Sequence, residues 1–215
     1  HLIYFVNWFR MKLLKKALAA ALAGVLALSV LTGCNNSAAT VTMVDALNDW
    51  SKVYGDGVTF EKGNEDLQNQ VNALVKIVDE AGKDIKFGDA KDFREIYDIV
   101  MNNPTVRQEL TEWAGQFPTA TYGSDPSNPL YEYGFADINA TLSASSSKNI
   151  YYASQLLDGL DVINLPAGDP NRWEKGDTSY VAVATGEING KKYMVALFKT
   201  SIQKDPDYKP NPDKN

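Results

Sequence analysis

The sequence predicts an α+β domain in which several N-terminal helices pack on a small antiparallel sheet containing a C-terminal β-hairpin. Three observations predict it. Between residues 43 and 115, apolar residues recur at helical spacing in successive segments parted by caps, glycines and one proline. Between 179 and 200, two alternating segments rich in Val and Tyr flank Asn189-Gly190, the preferred pair for a two-residue type I′ turn. Between those halves, from 117 to 135, prolines and glycines interrupt every period.

Residues 1–10, HLIYFVNWFR, precede Met11, a good initiator, and are expected to lie outside the protein proper. After Met11, Lys12, Lys15 and Lys16 stand before an uncharged apolar run, 17–30. That order is signal-peptide architecture. The run is shorter than the roughly 18 to 20 apolar residues of a membrane-spanning helix, and small residues follow it directly. Leu31-Thr32-Gly33-Cys34 closely resembles the lipobox of bacterial lipoproteins. The resemblance implies a signal peptide over 11–33 and a mature protein that begins at Cys34, its thiol carrying a diacylglyceryl group with palmitate-like chains. Each buried methylene contributes about 0.8 kcal/mol, so two or more chains hold a protein on a bilayer where one does not. Membrane lipid, reached through acylated Cys34, is thus the first expected partner, and the expected location is the extracytoplasmic face of the cell membrane.

Composition removes several function classes. The whole chain carries a net charge of −6, which becomes −10 once the four leader bases, Arg10, Lys12, Lys15 and Lys16, are set aside. Nucleic acid is not an expected partner, because such binding rests on cationic contacts to phosphate. The one histidine is His1 and the one cysteine is Cys34. Past the leader there is accordingly no imidazole or thiolate for a Ser-His or Cys-His pair, for a zinc site or for a disulfide. No metal and no cofactor are expected.

The small polar residues 35–42 are expected to tether the lipid to a single domain over 43–203. The first helix is expected over 43–54, with Met43, Leu47, Trp50 and Tyr54 on one face and Gly55 as its stop. A loop over 56–63 holds a possible short strand at 58–60. Asn64 then caps a second helix, with Leu67, Val71, Leu74, Val75 and Val78 inward and Gly82 as its end. Asp89 is expected to cap a third, burying Phe93, Ile96, Tyr97 and Val100. Asn103-Pro104 supplies N-cap and N1 of a fourth, which carries Val106, Leu110 and Trp113 to Gly115.

Residues 117–135 read as a long loop in which Phe117, Tyr122, Tyr131, Tyr133 and Phe135 crowd together. Such a loop either wraps the core with its rings or turns them to a ligand. Residues 136–147 give no clear period, although Ser145 to Ser147 suit the start of a helix through Ile150, Ala153, Leu157 and Leu160. A second loop, 164–178, sets Trp173 among charges. The Asn189-Gly190 turn fixes a hairpin register that opposes Ile188 to Lys191, Glu187 to Lys192 and Val181 to Phe198. Since a lone hairpin is marginal, 161–165 and 58–60 are candidate further strands. The proline-spaced tail, 204–215, is expected to be disordered.

Chemical motifs are sparse. Ser145-Ser146-Ser147-Lys148 matches the Ser-x-x-Lys pattern of penicillin-binding proteins, but Lys199-Thr200-Ser201 has Ser where their third motif has Gly, and no Ser-x-Asn lies between. Asp125 to Asn128 and Asp169 to Asn171 hold oxygen ligands without EF-hand spacing, and Asx-Pro turns account for them. Asp45 with Asp49, and Glu109 with Glu112, each share a helix face as a carboxylate hydrolase would need. The expected function is therefore a non-enzymatic binding or envelope-interaction module at the membrane surface, with a cell-envelope hydrolase using paired carboxylates as the alternative. The expected ligand is a peptide, a glycan or an envelope protein. The candidate ligand-binding residues are Tyr122, Tyr131, Tyr133 and Trp173, whose rings offer apolar faces.

Overall fold

The structure, a computed structural model, describes residues 37–54, 57–121, 129–139, 145–166, 173–205 and 207. It is an α+β fold, with helices on both faces of a five-stranded sheet. The elements in chain order are α1 (Ser37–Tyr54), β1 (Thr59–Lys62), α2 (Glu65–Asp84), α3 (Phe93–Asn102), α4 (Pro104–Ala114), β2 (Leu130–Asp137), α5 (Ser145–Leu157), β3 (Asp161–Val162), β4 (Trp173–Ile188) and β5 (Lys191–Lys204).

The hairpin β4–β5 is the spine of the sheet, and its turn has the backbone the sequence requires, with φ of 49° at Asn189 and 75° at Gly190. The register follows, with Ile188 opposite Lys191, Glu187 opposite Lys192 and Val181 opposite Phe198. Both strands run further than their alternation suggests: β4 begins at Trp173, inside the expected second loop, and resumes after a register shift between Lys175 and Ser179. The strand order is β1-β4-β5-β2-β3. β1 joins β4 in parallel, so the sheet is mixed rather than antiparallel throughout.

The main correction is β2. Residues 130–137 were expected in loop or unassigned sequence, yet they form a strand antiparallel to β5. Proline and glycine punctuation hid a clean alternation. Leu130, Glu132, Gly134 and Ala136 point to one face, and Tyr131, Tyr133 and Phe135 to the other. Of the expected strand at 161–165 only Asp161 and Val162 pair, with Tyr133 and Glu132.

Helix boundaries shift for local reasons. α1 already begins at Ser37, so residues 37–42 are helix and not tether. Thr40 gives the reason: its hydroxyl accepts the Val183 N–H at 3.0 Å, and Gln68 Nε2 donates to the Val183 carbonyl at 2.9 Å. β1 ends at Lys62, and these two side chains satisfy the edge of β4 beyond it. α2 starts at its Asn64 cap but runs past Gly82, which lies against Ile188 where any larger residue would clash. α3 is capped by Asp92 instead of Asp89, because Phe87 to Ala90 close a turn first. Asp92 accepts from the Glu95 N–H at 2.9 Å and Glu95 returns to the Lys91 N–H at 2.9 Å. Asn103-Pro104 opens α4, and Gly115 is its C-cap.

Helices α1 and α5 cover one face, packing Met43, Leu47, Tyr152 and Leu156 on Phe60, Val181, Val183 and Phe198. Helices α2, α3 and α4 cover the other, packing Leu67, Leu74, Ile96, Val106 and Trp113 on Ala182, Ala184, Tyr193 and Leu197. α5 comes so close that a methyl on Gly134 would overlap the Leu156 carbonyl oxygen. Among the described residues no helix is long and apolar enough to cross a membrane. Cys34 and most of the expected tail lie outside the described residues.

Candidate functional site

On the α1/α5 face the strand residues are small around Gly134, Ala136 and Ala196, and α5 lies directly on the sheet there. Further along the strands, towards Leu130 and Thr200, a cavity of about 340 Å³ opens between the helices and the sheet. α1 contributes Trp50 and Ser51 to it, and β1 with its approach contributes Val58 and Phe60. Leu157 and Leu160 close it at the end of α5. Its floor is Glu132 of β2, Lys175 and Ser179 of β4, and Phe198 and Thr200 of β5.

The floor concentrates polarity among apolar walls. Glu132 points to the same face as Leu130 and Gly134 because it alternates with Tyr131 and Tyr133, so its carboxylate is forced inward, its side chain only 7% exposed. Lys175 meets it at 2.5 Å from the irregular part of β4, with its side chain 37% exposed. The pair crosses β5, which lies between the two strands. Beside it the Ser179 and Thr200 hydroxyls, directly opposite in register, share a hydrogen bond at 2.8 Å and are both buried. One proton is spent between the two oxygens, which leaves a second proton and spare lone pairs. Above them Phe60 meets Phe198 edge-on at 6.0 Å, and Trp50 is held by stacking on Tyr54 at 3.9 Å.

The expected ligand-binding rings do not form one surface. Tyr131 and Tyr133 lie on the α2/α3/α4 face, where Tyr131 packs on Phe117 at 4.6 Å and Tyr133 meets Trp113 at 6.1 Å. From there rings continue through Phe135 to Tyr193 and Phe93. They wrap the core, because the strand they belong to turns every second residue inward. Burial raises the phenol pKa of both tyrosines, helped by Asp66 for Tyr131 and by Asp161 for Tyr133, and so keeps them neutral. Trp173 is on the opposite face with Ala120, Leu130 and Ile202, half-buried, its indole N–H without an acceptor among the described residues. Tyr122 lies outside the described residues, as do Asp125 to Asn128 and Asp169 to Asn171.

Neither acid pair lines the cavity. Asp45 and Asp49 border a second, more open hollow between α1 and residues 57–59, which adjoins the cavity at Ser51 and Val58 and where Lys52 meets Asp49 at 3.4 Å. Glu109 and Glu112 are on α4, the latter accepting from Gln108 at 3.1 Å. A carboxyl whose surroundings shift its titration is Asp79 of α2. Its oxygen accepts the buried Tyr193 hydroxyl at 2.7 Å, in space that Gly186 leaves open. Burial raises its pKa above the ordinary 3.8 more than Tyr193, the Glu187 backbone and Lys83 lower it. No group of three or more His, Cys, Asp or Glu among the described residues converges as a metal site.

Glu132, Lys175, Ser179 and Thr200 were missed by motif reading. The available signal was the period of two in Leu130-Tyr131-Glu132-Tyr133-Gly134-Phe135, which puts a charge on an inward face once the segment is read as a strand. Comparisons with the profiles of known protein families, with characterised proteins and with solved structures give no match for this chain.

Proposed function

We propose that this protein is a membrane-anchored extracytoplasmic lipoprotein whose domain acts as a non-enzymatic binding module, taking a small ligand in the cavity between α1, α5 and the sheet. The observation that carries the binding role is the floor of that cavity: an ion pair whose carboxylate is buried and two buried hydroxyls under aromatic walls, the combination of apolar lining and few polar groups that small-molecule sites use. The anchor rests on the sequence from Met11 to Cys34. The cavity floor favours binding over paired-carboxylate hydrolysis, since the acid it offers, Glu132, faces a lysine instead of a second acid.

Two measurements on the full chain expressed in a bacterium test the reading. The wild type partitions into the membrane fraction, and Cys34→Ala releases it to the soluble fraction; equal partitioning of both removes the anchor. A fluorescent apolar probe binds the detergent-solubilised protein saturably at one site, and Leu160→Trp, which fills the cavity, abolishes that binding. Probe binding that Leu160→Trp leaves unchanged would sink the cavity as the site.

A further inference from the structure

Taking the cavity as a binding site, and so resting on the reading above, we infer that its ligand is a small zwitterion with an apolar side chain, an α-amino acid or a dipeptide. The argument begins with charge. Glu132 and Lys175 together are neutral, and Glu132 is buried with Lys175 as its one partner among the described residues. A ligand with a single net charge would leave one unit uncompensated beside the buried Glu132 carboxylate, where unpaired charge is costly. A zwitterion adds equal and opposite charges. Its ammonium meets the Glu132 carboxylate, its carboxylate meets the Lys175 ammonium, and the single ion pair becomes an alternating set of four charges.

The hydroxyls fit the same ligand. Ser179 and Thr200 hold one proton between them and offer the other to a carboxylate oxygen beside Lys175. The remaining lining is apolar: Trp50, Phe60 and Phe198 on one side and Leu157 and Leu160 on the other suit an aliphatic or aromatic side chain. Size sets the upper bound. At about 340 Å³ the cavity is at the small end of the roughly 300–1,000 Å³ range of ligand pockets, enough for one or two residues and too little for a longer peptide. Lys175, the more exposed member of the pair, is the member able to swing outward and admit the ligand.

The test is a titration of the full chain in detergent, followed by calorimetry and tryptophan fluorescence, with L-phenylalanine, phenethylamine and 3-phenylpropionate. These keep the ring and carry both charges, the ammonium alone or the carboxylate alone. L-Phenylalanine is expected to bind at least about tenfold more tightly than either singly charged analogue, a difference of about 1.4 kcal/mol. Glu132→Gln is expected to weaken L-phenylalanine and phenethylamine and to spare 3-phenylpropionate, while Leu160→Trp abolishes binding of all three. Binding of either singly charged compound as tight as that of L-phenylalanine overturns the zwitterion. If none of the three binds while the apolar probe still does, the ligand class is wrong and the cavity stands; if the probe fails as well, both readings fall. Should Glu132→Gln not fold, the three-compound comparison on the wild type decides alone.

Discussion

The side-chain oxygen of Asn164 accepts the backbone N–H of Tyr131 at 2.7 Å, where β2 has run past the end of β3. The same side chain donates through Nδ2 to the carbonyls of Pro118 and Pro129, at 2.6 and 2.9 Å. One buried amide thus stands in for a missing strand and closes both ends of the segment between α4 and β2. Two other asparagines repeat the device. Asn48 pairs with both backbone groups of Phe60, and Asn139 with both of Lys192.

Asn164→Ala leaves these backbone groups without their partner, two of them at buried positions, and each unsatisfied buried group costs about 1–3 kcal/mol. A loss of about 2–4 kcal/mol in unfolding free energy is expected from urea titration, partial hydration of the Pro118 carbonyl keeping it below the full sum. Asn164→Asp keeps the acceptor for Tyr131 but turns a charged oxygen to the Pro118 and Pro129 carbonyls, so at pH 7 it should cost at least as much as alanine. A loss below about 0.5 kcal/mol for the alanine variant, the size of an ordinary surface substitution, would show that the amide is not a clamp.

Lys175 and Glu132 are not equivalent partners. Removing the lysine strands a buried carboxylate, whereas removing the acid leaves an ammonium that reaches water. Lys175→Met should therefore destabilise the protein at pH 7 by about 2–3 kcal/mol, somewhat less than the cost of breaking a fully buried pair, and Glu132→Gln by clearly less. Chemical denaturation of both single variants checks the order. A larger cost for Glu132→Gln contradicts the asymmetry.

Asp79 gives a pH dependence whose sign follows from burial. Unfolded, its carboxyl titrates near 3.8, and in the fold it titrates higher. The folded state then holds this proton more tightly than the unfolded state, so the group favours the fold at low pH and that contribution is lost as pH rises through the raised value. Asp79→Asn should be more stable than the wild type at pH 7, and its advantage should shrink as pH falls towards and below 3.8. Midpoints of urea unfolding at several pH values measure the gap. A gap that stays constant with pH would mean that Asp79 titrates alike in both states.

Gly134→Ala directs a methyl at the Leu156 carbonyl, a backbone atom that yields only if α5 moves. Overpacking of this kind costs about 1–3 kcal/mol, roughly 2–4 °C of melting temperature per kcal/mol in a domain of this size. Since Leu157 and Leu160 follow Leu156 along the same wall, the variant should also lose cavity binding of the apolar probe. Unchanged melting and unchanged probe binding would show that α5 sits further from the sheet.

The hairpin, the caps at Asn64 and Asn103 and the inward faces of α2, α3 and α4 were legible because each is a local signal: a turn dipeptide, a capping side chain, a period of 3.6. β2 was not, because Gly134 and the prolines before Leu130 resemble loop punctuation until β5 is known to lie beside them. Gly134 is there for the close approach of α5, a tertiary reason with no local trace. The start of α1 was missed for a similar cause, since Thr40 has its role only when Val183 is in place. The cavity combines residues from α1, β1, β2, α5, β4 and β5; Trp50, Leu157 and Leu160 were legible as helix positions and Glu132 by its place in an alternating run, but no local signal brings them together.

Thr40 and Val183 are 143 residues apart in the chain, yet their contact completes the edge of β4. Contacts across such separation form late, after their loop-closure entropy has been offset elsewhere, whereas β4 and β5 zip from a two-residue turn. During synthesis α1 leaves the ribosome well before the strand that completes its seat. Its apolar side, with Met43, Ala46 and Leu47, meets Phe60 and α5 on the way and is completed by Val181, Val183 and Phe198 of the hairpin. A chain truncated before residue 179 therefore leaves that side only partly covered, without the strand residues that complete its seat.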